Sequence, residues 1–563
     1  MNKPPETNQP QQFASVNKNQ NLERGARSEE RGTTEINSST VKTSSDATYI
    51  NLNPKSLTLD TKNKPTHEQF EIRKNKRQSL LDQNIEPYIL RVGEITDIRE
   101  IRNNPKYQSL EAGAETSDLV TIVGRMMFKR EAGRLCFASL QGRDDIRLQI
   151  MLSEKEVGKD SLTEFKSLTD LGDFIWAHGK IISSKTGELS VLVDQWKIAS
   201  KSLRPLPILH KDLSEEEKIR RRFLEFITSK PTVELMEIRS KVVNSLRENF
   251  FRREYIELDT PMIQAVHGGA AAKPFETKIN AFDLDVYLRI SPELFLKRAI
   301  VGGLERVFEI NRVFRNEGAD SSHSPEFTML ESYEAYSDYH GVAALTKNLV
   351  QQAALDTFGT LSLELRDGER LELDGEWKQI DFYDTVSQQI GEPITPETSV
   401  EHLLELCHKV GLDKEFVKGS KKHLATHGKL VELLFEHYME GQLNQPVFVY
   451  DFPEDTSPLV SPHCGKPGVV EKWDLYIRGY ELATGYSELV DPVIQRERLT
   501  KQSKLAAQGD EDAMQLDEEF LEALEYGMPP TGGMGMGIDR LVMVLTGVKS
   551  IRDTIPFPLV KPR

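Results

Sequence analysis

Cysteine is scarce in this 563-residue sequence, and long apolar runs are missing from it. The cysteines, Cys136, Cys407 and Cys464, lie far apart and form no Cys-x-x-Cys pair, so the sequence predicts neither a disulfide framework nor a zinc site. No stretch approaches the roughly 18 apolar residues that span a bilayer, and no charged start followed by an apolar run marks a secretory signal. These absences predict a cytoplasmic protein with no membrane partner.

Two common nucleotide-binding motifs are also missing. There is no GxxxxGK[ST] phosphate loop. The glycine-rich run GGMGMG, residues 532–537, is followed by neither a βαβ unit nor an acidic ribose partner about 20 residues on, so a dinucleotide fold is a poor fit. If the chain uses ATP, it does so through another architecture.

The net charge of −16 is unfavourable for general nucleic-acid binding. Net charge governs non-specific association, whereas a local basic patch is enough to bind phosphates. An RNA partner of this chain is therefore expected to be held through few, well-placed and salt-sensitive contacts.

The sequence divides into five regions of different character. Five short strands with period two and one helix, between residues 118 and 203, fit an oligonucleotide-binding (OB) barrel and a β-sandwich equally well. The part from residue 233 onward mixes helices and strands without a regular βαβ rhythm, which predicts an α+β domain. The predicted regions are a disordered polar extension (1–64), a helical lead-in (65–117), the barrel (118–203), a linker with an initial helix (204–232), and a large domain (233–563) with a helical insert at about 378–445.

The segment from Glu305 to Tyr336 reads as a long antiparallel hairpin with a polar loop. Alternation gives each strand one face of mixed character: Glu309, Asn311, Val313 and Arg315 on the first, and Phe327, Met329, Glu331 and Tyr333 on the second. For an isolated pair of charged residues, the simpler interpretation is that both only face solvent. A ring, a carboxylate and a phenol beside a loop that carries Arg315, Glu317 and His323 favour a site for a flat base and phosphates.

A second cluster lies in residues 471–491. If Arg478-Gly479 forms a two-residue turn, Asp474 pairs with Ala483, and Asp474 and Glu481 become diagonal neighbours about 7–8 Å apart. Two carboxylates at that spacing suit hydrated Mg²⁺ that bridges to a triphosphate, and the nearby Glu488 suits an ammonium group. An acidic surface hairpin is the alternative.

Two further segments complete the candidate site. Arg540 follows the glycine-rich strand near the start of an apolar helix, where it is able to meet the phosphate tail of a nucleotide. Small residues from Gly268 to Ala272 allow a substrate to approach the backbone, and Glu293 opens an apolar helix. A carboxylate that only stabilises the helix start is the alternative for Glu293.

The segments FEINRVFRNEG…HSPEFTMLE and GMGMGIDRLVMVL resemble the second and third signature motifs of class II aminoacyl-tRNA synthetases. IRSKVVNSLRENFFRREYIELDTP resembles the first motif, and GGAAAKPF, YLRISPELFLKR, YSELVDP and IRDTIPFP narrow the likeness to the lysine-specific branch. The resemblance covers about Asn84 to Arg563. It implies an antiparallel sheet flanked by helices, preceded by an all-β OB-fold barrel, and a homodimer that uses ATP with Mg²⁺ to join L-lysine to tRNA(Lys).

The resemblance also implies residue roles. Arg315 and Arg540 are the catalytic candidates. The ATP-binding set is Arg315, Glu317, His323, Phe327, Glu481 and Arg540, with Asp474 and Glu481 on the metal. The lysine-binding set is Gly269, Glu293, Arg315, Glu331, Tyr333, Thr484 and Glu488, with Glu488 and Tyr333 on the ε-ammonium. The anticodon-binding set is Lys129, Phe137, Gln149 and Glu188, with Arg130 and Arg134 adding positive charge.

Three features depart from the commonest pattern of the branch. Thr484 stands where many lysine enzymes have an Asn, Ser322 stands where many have an Arg, and GRDDIRLQ has one residue more than usual before Gln149. These features resemble the branch that includes the synthetase half of a lipid-lysylating protein. A lysine-activating enzyme with a lipid or protein acceptor is therefore one alternative function, and an RNA-binding protein on an inactive synthetase core is another. An aspartate or asparagine enzyme is disfavoured, because its pocket needs a cation where Glu488 and Tyr333 stand.

Overall fold

The computed structural model describes residues 64–207, 213–412, 425–439, 441–509 and 513–562. The polar extension predicted over residues 1–64 therefore lies almost wholly outside the described residues. Within the described ranges, no helix combines the length and the apolar character needed to cross a bilayer.

Three lead-in helices precede the barrel: α1 (Lys64–Asp82), α2 (Ile98–Asn103) and α3 (Pro105–Gln108). Asp97 caps α2 by accepting a hydrogen bond from the Arg99 amide at 2.8 Å. Asn104 caps α3 in the same way, and Pro105 occupies its first turn, where a missing N–H costs nothing. These short helices begin where the sequence supplies caps.

The region with period-two strands folds as a closed five-stranded barrel in the order β1-β2-β3-β5-β4. Side chains alternate as predicted: in β2, Cys136, Ala138 and Leu140 are buried inside the barrel and the residues between them face outward. Of the two alternatives, the barrel is confirmed and the sandwich is wrong. Its elements are β1 (Glu115–Ala132), β2 (Leu135–Gln141), β3 (Arg147–Ser153), α4 (Glu154–Val157), α5 (Lys159–Leu168), β4 (Phe174–Ser183) and β5 (Leu189–Ser200).

The large domain follows three helices, α6 (Glu215–Arg220), α7 (Arg222–Thr228) and α8 (Lys230–Arg252). Its strands up to the first long hairpin are β6 (Ile256–Glu257), β7 (Ile263–Gln264), β8 (Phe275–Ile279), β9 (Leu284–Leu288), β10 (Arg306–Phe314) and β11 (Glu326–Ala335), with α9 (Glu293–Val301) before β10. After β11 come α10 (Tyr339–Phe358), β12 (Ser362–Glu364), β13 (Arg370–Glu372), β14 (Lys378–Asp381), α11 (Phe382–Ile390), α12 (Val400–Lys409) and α13 (His427–Met439). The last elements are β15 (Val447–Pro453), β16 (Val469–Ile477), β17 (Tyr480–Ser487), α14 (Pro492–Ala507), α15 (Glu518–Glu525), β18 (Thr531–Gly537), α16 (Ile538–Thr546) and α17 (Ile551–Thr554).

An eight-stranded sheet in the order β14-β15-β16-β17-β18-β11-β10-β6 forms the frame of this domain. It is antiparallel except at its two edges, where β14 pairs with β15 and β6 pairs with β10 in parallel. Helices α8, α10 and α16 contribute to the main apolar core with the sheet, in which the Phe250 and Phe308 rings stack at 4.4 Å. The predicted α+β class with an antiparallel sheet flanked by helices is confirmed.

The range predicted as a helical insert, about 378–445, begins with a strand and not with a helix. β14 is four residues long and pairs with one neighbour, so it shows too little alternation to be read from the sequence. The following helices α11, α12 and α13 enclose a separate apolar cluster in which the Phe382 ring lies 4.9 Å from Phe435 and 4.6 Å from Phe452.

Candidate active site

The predicted hairpin between Glu305 and Tyr336 forms at the centre of the sheet as β10 and β11. Val313 lies opposite Phe327, Asn311 opposite Met329 and Glu309 opposite Glu331. Directly opposed residues of an antiparallel pair face the same side, so these side chains form one surface, as expected.

The second hairpin, β16 and β17, has the predicted register next to its turn, where Tyr476 pairs with Glu481, and a different one beyond it. Both turn residues have positive φ, Arg478 at 57° and Gly479 at 75°, which fits the two-residue turn. A bulge then makes Leu482 an extra residue, so that Asp474 pairs with Thr484 and not with Ala483. The predicted pairing was wrong because alternation cannot reveal a bulge. The bulge puts both Glu481 and Thr484 on the cleft side, while Leu482 and Ala483 pack in the core.

These elements line a cleft of about 710 Å³. It brings together residues from the long hairpin loop, from β11, β17 and β18, and from the start of α16. Thr484 and Ser322 line this cleft. So do all six residues predicted to bind ATP: Arg315, Glu317, His323, Phe327, Glu481 and Arg540. A concave surface lined by an aromatic ring and by charged side chains suits a small molecule such as a nucleotide.

Two arginines supply the positive charge of the cleft. The Arg315 guanidinium lies 5.3 Å from the centre of the Phe327 ring. Burial lowers the pKa of Arg315 from its ordinary value, while Glu317, Glu331 and Glu481 oppose that shift. Arg540 donates to the Glu481 carbonyl oxygen at 2.7 Å and its guanidinium lies 3.3 Å from His323 Nε2. The cleft thus holds two guanidinium groups, an aromatic face and several carboxylates.

Asp539, next to Arg540, fixes the start of α16. It is buried, and its carboxylate accepts from Arg239 of α8 at 2.6 Å and from the Thr328 amide of β11 at 2.7 Å. These two bonds link three elements directly behind the cleft. Their effect is to hold Arg540 in place relative to the hairpin.

Of the predicted metal pair, Glu481 lines the cleft, and Asp474 lies on β16 opposite the cleft residue Thr484. Burial, and then the negative charge of Glu481, raise the pKa of Asp474 to about 6, although Lys472 opposes the shift with its Nζ 3.1 Å from the carboxylate. Asp474 Oδ1 is buried and has no hydrogen-bond partner among the described residues. An oxygen pair with an orphaned atom fits a hard cation that keeps part of its water shell. The described residues contain no group of three or more metal-ligating side chains.

A second group of acidic side chains, Glu293, Glu331 and Glu488, is buried and is called the acidic pocket below. Glu331 accepts from the Ser291 hydroxyl at 2.7 Å and from the Tyr333 hydroxyl at 3.0 Å. The Ser291 hydroxyl also accepts from the amide of Glu293 at the start of α9 at 3.0 Å. Burial, followed by the charge of Glu293, raises the pKa of Glu331 to about 8.

Glu488 completes this pocket, which already contains an ammonium group of the protein itself. Lys297 Nζ is ion-paired with Glu293 Oε1 at 2.6 Å and with Glu488 Oε2. Glu488 Oε1 packs against β18, where a Cβ on Gly533 would lie 1.9 Å from it. The glycine-rich strand therefore leaves room for a carboxylate.

Gly269 borders the same pocket. Its φ of 84° is in the left-handed region that favours glycine, and a Cβ there would lie 2.9 Å from Ser291 Oγ. The structure thus brings the predicted lysine-binding residues Gly269, Glu293, Glu331, Tyr333 and Glu488 around one pocket, while Arg315 and Thr484 line the adjoining cleft.

Sequence reasoning missed four residues of this site: Ser291, Lys297, Lys472 and Arg289. Arg289 forms a buried ion pair with Glu309 at 2.6 Å beneath the hairpin, so Glu309 belongs to the framework of the site. Lys297 follows Glu293 by four residues on one helix, a spacing that does predict contact. Nothing in the sequence indicates that Lys297 also reaches Glu488.

Three of the four predicted anticodon-binding residues lie on or beside one outer surface of the barrel. Phe137 lies opposite Arg130 and Met151, and Gln149 lies opposite Ser139 and Ser190. Gln149 Nε2 donates to the Ser190 hydroxyl at 2.8 Å. Glu188 is exposed next to this surface and forms an ion pair with Arg102 at 2.8 Å.

The extra residue before Gln149 does not displace it from this surface. It belongs to a turn in which Asp144 and Asp145 have φ of 60° and 57°. β3 then begins at Arg147, and its alternation leaves Gln149 facing outward.

Lys129 faces away from that surface, so the structure does not group it with the other three, and its role in anticodon binding stays a prediction. A bulge between Met126 and Phe128 sets Lys129 opposite Ala138, whose side chain is inside the barrel. Its ammonium donates to the carbonyl oxygens of Lys166 and Thr169, at 2.7 and 2.9 Å, and so satisfies the end of α5. Arg130 and Arg134 remain exposed.

Comparison with known proteins adds two family matches. Residues 214–561 match the model described as "tRNA synthetases class II (D, K and N)". Residues 120–199, which include most of the barrel, match the model described as "OB-fold nucleic acid binding domain".

Several curated relatives match most of the chain. A protein named lysine–tRNA ligase from Kineococcus radiotolerans is 54% identical over 88% of this chain and 97% of its own length. A protein of the same name from Mycobacterium bovis is 50% identical over the same shares. A lysylphosphatidylglycerol biosynthesis bifunctional protein from Nocardia farcinica is 47% identical over 79% of this chain, but over only 39% of its own length. With more than half of its length matching the family model, the chain belongs to the class II tRNA synthetases of the D, K and N group.

Proposed function

We propose that this chain activates L-lysine with ATP and transfers the lysyl group to the 3′ end of tRNA(Lys) for translation in the cytoplasm. The observation that carries the proposal is the buried pocket of three carboxylates, Glu293, Glu331 and Glu488, next to a cleft with two arginines. Buried carboxylates need cationic partners, and a substrate with two ammonium groups supplies them. The names of the relatives support lysine as the amino acid.

In the proposed first step, a carboxylate oxygen of lysine forms a bond to the α-phosphorus of ATP. The bond from that phosphorus to the bridging oxygen breaks at the same centre, and pyrophosphate leaves with the electron pair. Arg315 holds the α-phosphate and the lysine carboxylate, so it stabilises the charge that develops between them. No enzyme nucleophile is required, because positioning and charge stabilisation lower the barrier.

The remaining residues of the cleft hold the nucleotide. Phe327 and Arg540 lie on the two faces of the adenine, with Arg540 also near the γ-phosphate, and Glu317 and His323 contact the nucleotide. Asp474 and Glu481 hold Mg²⁺, which supplies charge neutralisation for the triphosphate. Thr484 stands next to the lysine carboxylate.

The acidic pocket recognises the two ammonium groups. Gly269, Glu293 and Glu331 hold the α-ammonium, and Tyr333 and Glu488 hold the ε-ammonium. Because Glu293 Oε1 is already paired with Lys297, its Oε2 is the atom that remains for a substrate.

The barrel reads the anticodon in this proposal. Phe137 stacks on one base, and Gln149 and Glu188 form hydrogen bonds with base edges. Arg130 and Arg134 add local positive charge to a chain with a net charge of −16.

A homodimer is part of the proposal. Large apolar side chains are exposed on α8 and on the edge strands beside it, among them Phe251 at 52%, Ile256 at 47% and Ile263 at 51%. Exposed large apolar side chains are typical of interfaces, and in a twofold dimer the same residues of both copies would be covered.

ATP–pyrophosphate exchange without tRNA tests the activation step. Exchange is expected to require lysine, to be weak with ornithine, aspartate or asparagine, and to collapse in Glu488→Gln. Equal exchange with aspartate, or no exchange with any amino acid, would contradict the proposal.

Charging of purified tRNA(Lys) then tests the acceptor. The second candidate, lysyl transfer to a lipid, is favoured by one observation, the likeness to the bifunctional relative. Lysine-dependent exchange without charging of tRNA(Lys), together with lysyl transfer to lipid vesicles, would move that candidate to the front.

A further inference from the structure

Lys297 lies between two carboxylates of the acidic pocket, those of Glu293 and Glu488. Its side chain is fully buried, and its ammonium is 2.6 Å from Glu293 Oε1 and in ion-pair contact with Glu488 Oε2. Glu293 opens α9, whereas Glu488 follows β17, so Lys297 links two elements that are far apart in the sequence. The pocket therefore contains a built-in ammonium beside the place proposed for the substrate's ammonium.

Stability alone is a weak reason for this arrangement. Desolvation of a buried ion pair offsets most of its attraction, and apolar residues of the same volume are often as good. Leu294, Leu296 and Ile300 on the same helix are buried in an apolar cluster, so a methionine at position 297 would suit the packing. The charges around Lys297 point to a role in the pocket.

The two oxygens of Glu488 have different surroundings. Oε2 forms the ion pair with Lys297, whereas Oε1 lies near Gly533 and has neither an ion-pair partner nor a hydrogen-bond partner among the described residues. A buried carboxylate oxygen without a donor is costly and is expected to receive one from a ligand. The ammonium of Lys297 thus determines which oxygen faces the substrate.

The charges of the pocket agree with this division. With Glu331 ionised by a bound ammonium, Glu293, Glu331 and Glu488 contribute three negative charges, and Lys297 together with Arg315 of the adjoining cleft contributes two positive charges. The difference of one negative charge is matched by an amino acid that carries two ammonium groups and one carboxylate. Without Lys297, the carboxylates of Glu293 and Glu488 would face each other with no cation between them.

We propose that Lys297 is a positioning residue that holds Glu488 so that its Oε1 receives the terminal ammonium of the substrate, and that it thereby sets the preference for a side chain of lysine length. This inference rests on the proposed function, because it concerns the same pocket. Lys297 acts through Glu488 and does not touch the reacting atoms.

The first test is Lys297→Met in the full-length chain, measured by ATP–pyrophosphate exchange. We expect the KM for lysine to rise about tenfold or more, since a buried carboxylate loses its partner, while the KM for ATP stays within about twofold. We also expect the preference for lysine over ornithine in kcat/KM to fall by about tenfold. An unchanged lysine KM, or equal losses for lysine and ornithine, would overturn the inference.

A second variant keeps the test decisive if Lys297→Met folds poorly. Lys297→Ala removes a part of the side chain equivalent to n-propylammonium. This variant is therefore prepared and assayed in an n-propylammonium salt, which is able to fill the space left by the side chain. Restoration of the lysine KM by n-propylammonium, but not by n-propanol, supports the inference, and an identical lysine KM with both additives overturns it.

The unmodified chain is assayed first, so that the two possible failures are separated. If it shows no lysine-dependent exchange, the proposed function itself fails. If it exchanges normally and both Lys297 variants match it, only the role of Lys297 is wrong.

Discussion

Glu331 lies in the acidic pocket. Among the described residues, no ammonium or guanidinium group lies within ion-pair distance of its carboxyl group. Its partners are the neutral hydroxyls of Ser291 and Tyr333. Because burial raises its pKa to about 8, the empty pocket holds this group protonated at neutral pH. An ammonium of the substrate favours the ionised form, so binding and ionisation are linked.

This linkage predicts that lysine binds more tightly as the pH rises from 6 toward 8. A proton must leave Glu331 below its pKa of about 8, so the lysine KM is expected to fall by up to about tenfold per pH unit and then level off. The measurements are the lysine KM in pyrophosphate exchange from pH 6 to 8.5 and calorimetry in two buffers of different ionisation enthalpy. Burial also raises the pKa of Glu488 to about 8, so Glu331→Gln is expected to weaken the dependence and not to remove it. The absence of a change in Glu331→Gln, or of proton release in the unmodified protein, would contradict the assignment.

Substitution of Phe327 tests ATP binding separately from lysine binding. Its ring lies in the cleft, with the Arg315 guanidinium 5.3 Å from its centre. Stacking of an aromatic ring on a base contributes about 1–3 kcal/mol, so Phe327→Leu is expected to raise the KM for ATP by about 5- to 100-fold and to leave the lysine KM nearly unchanged.

Phe128→Leu serves as the matched control for Phe327→Leu. Phe128 is 53% exposed on the barrel, so its substitution is expected to leave exchange without tRNA unaltered. An equal rise of both KM values in Phe327→Leu would indicate a general loss of structure and not of stacking.

At the scale of elements, β18 explains why a glycine-rich strand crosses the middle of the sheet. It lies between β11, which carries Phe327 and Glu331, and β17, which carries Glu481 and Thr484. At Gly533 a Cβ would lie 1.9 Å from Glu488 Oε1 and 2.6 Å from the Tyr333 ring. The absence of a side chain there is what gives the carboxylate its place.

Gly533→Ala is therefore expected to displace Glu488 and to lower kcat/KM for lysine by about 100-fold, because misplacement of about 1 Å in a site has that order of effect. The control is Gly465→Ala, at a loop position where the nearest atom to a new Cβ is 3.6 Å away. Both variants are compared by exchange kinetics and thermal unfolding. Wild-type kinetics in Gly533→Ala would show that the pocket adapts and that the close approach has no functional meaning.

Two bulges show how elements limit prediction from alternation. One in β1 turns Lys129 away from the outer barrel surface that carries Phe137, and one in β17 changes the partner of Asp474 from Ala483 to Thr484. A single extra residue reverses the faces of all residues after it, and the sequence carries no distinct pattern for it. The strands around these points were nevertheless predicted from alternation and turn residues.

At the scale of the whole molecule, the barrel and the large sheet give two separable steps. Phe137 lies on the outer barrel surface, whereas the cleft is built only from residues of the large domain. Phe137→Ala is expected to reduce kcat/KM for tRNA(Lys) by about 5- to 100-fold and to leave exchange without tRNA unchanged. Lys129→Met is the comparison, with no effect on tRNA kcat/KM beyond its effect on stability, since its ammonium caps α5. A loss of exchange in Phe137→Ala would contradict the separation.

The exposed apolar surface on α8 and its neighbouring strands predicts the assembly state. Phe251→Glu introduces a charge into the proposed twofold interface, once from each copy. Sedimentation is expected to show dimers for the unmodified chain and monomers for the variant, with reduced exchange. Leu90→Glu, at a position that is 98% exposed, is the control. If the unmodified chain sediments as a monomer, the prediction is overturned.

The amino-acid sequence by itself determined the barrel strands, the long central hairpin, the turn at Arg478-Gly479 and most of the residues around the cleft. These features depend on period, turn chemistry and short motifs, which are local properties of a chain. The tertiary structure alone decided the contact of Lys297 with Glu488, the buried pair of Arg289 with Glu309, and the faces of Lys129 and Asp474. Those depend on which elements meet in space and on single extra residues in strands, and a buried charge finds its partner only when the elements that carry both have packed together.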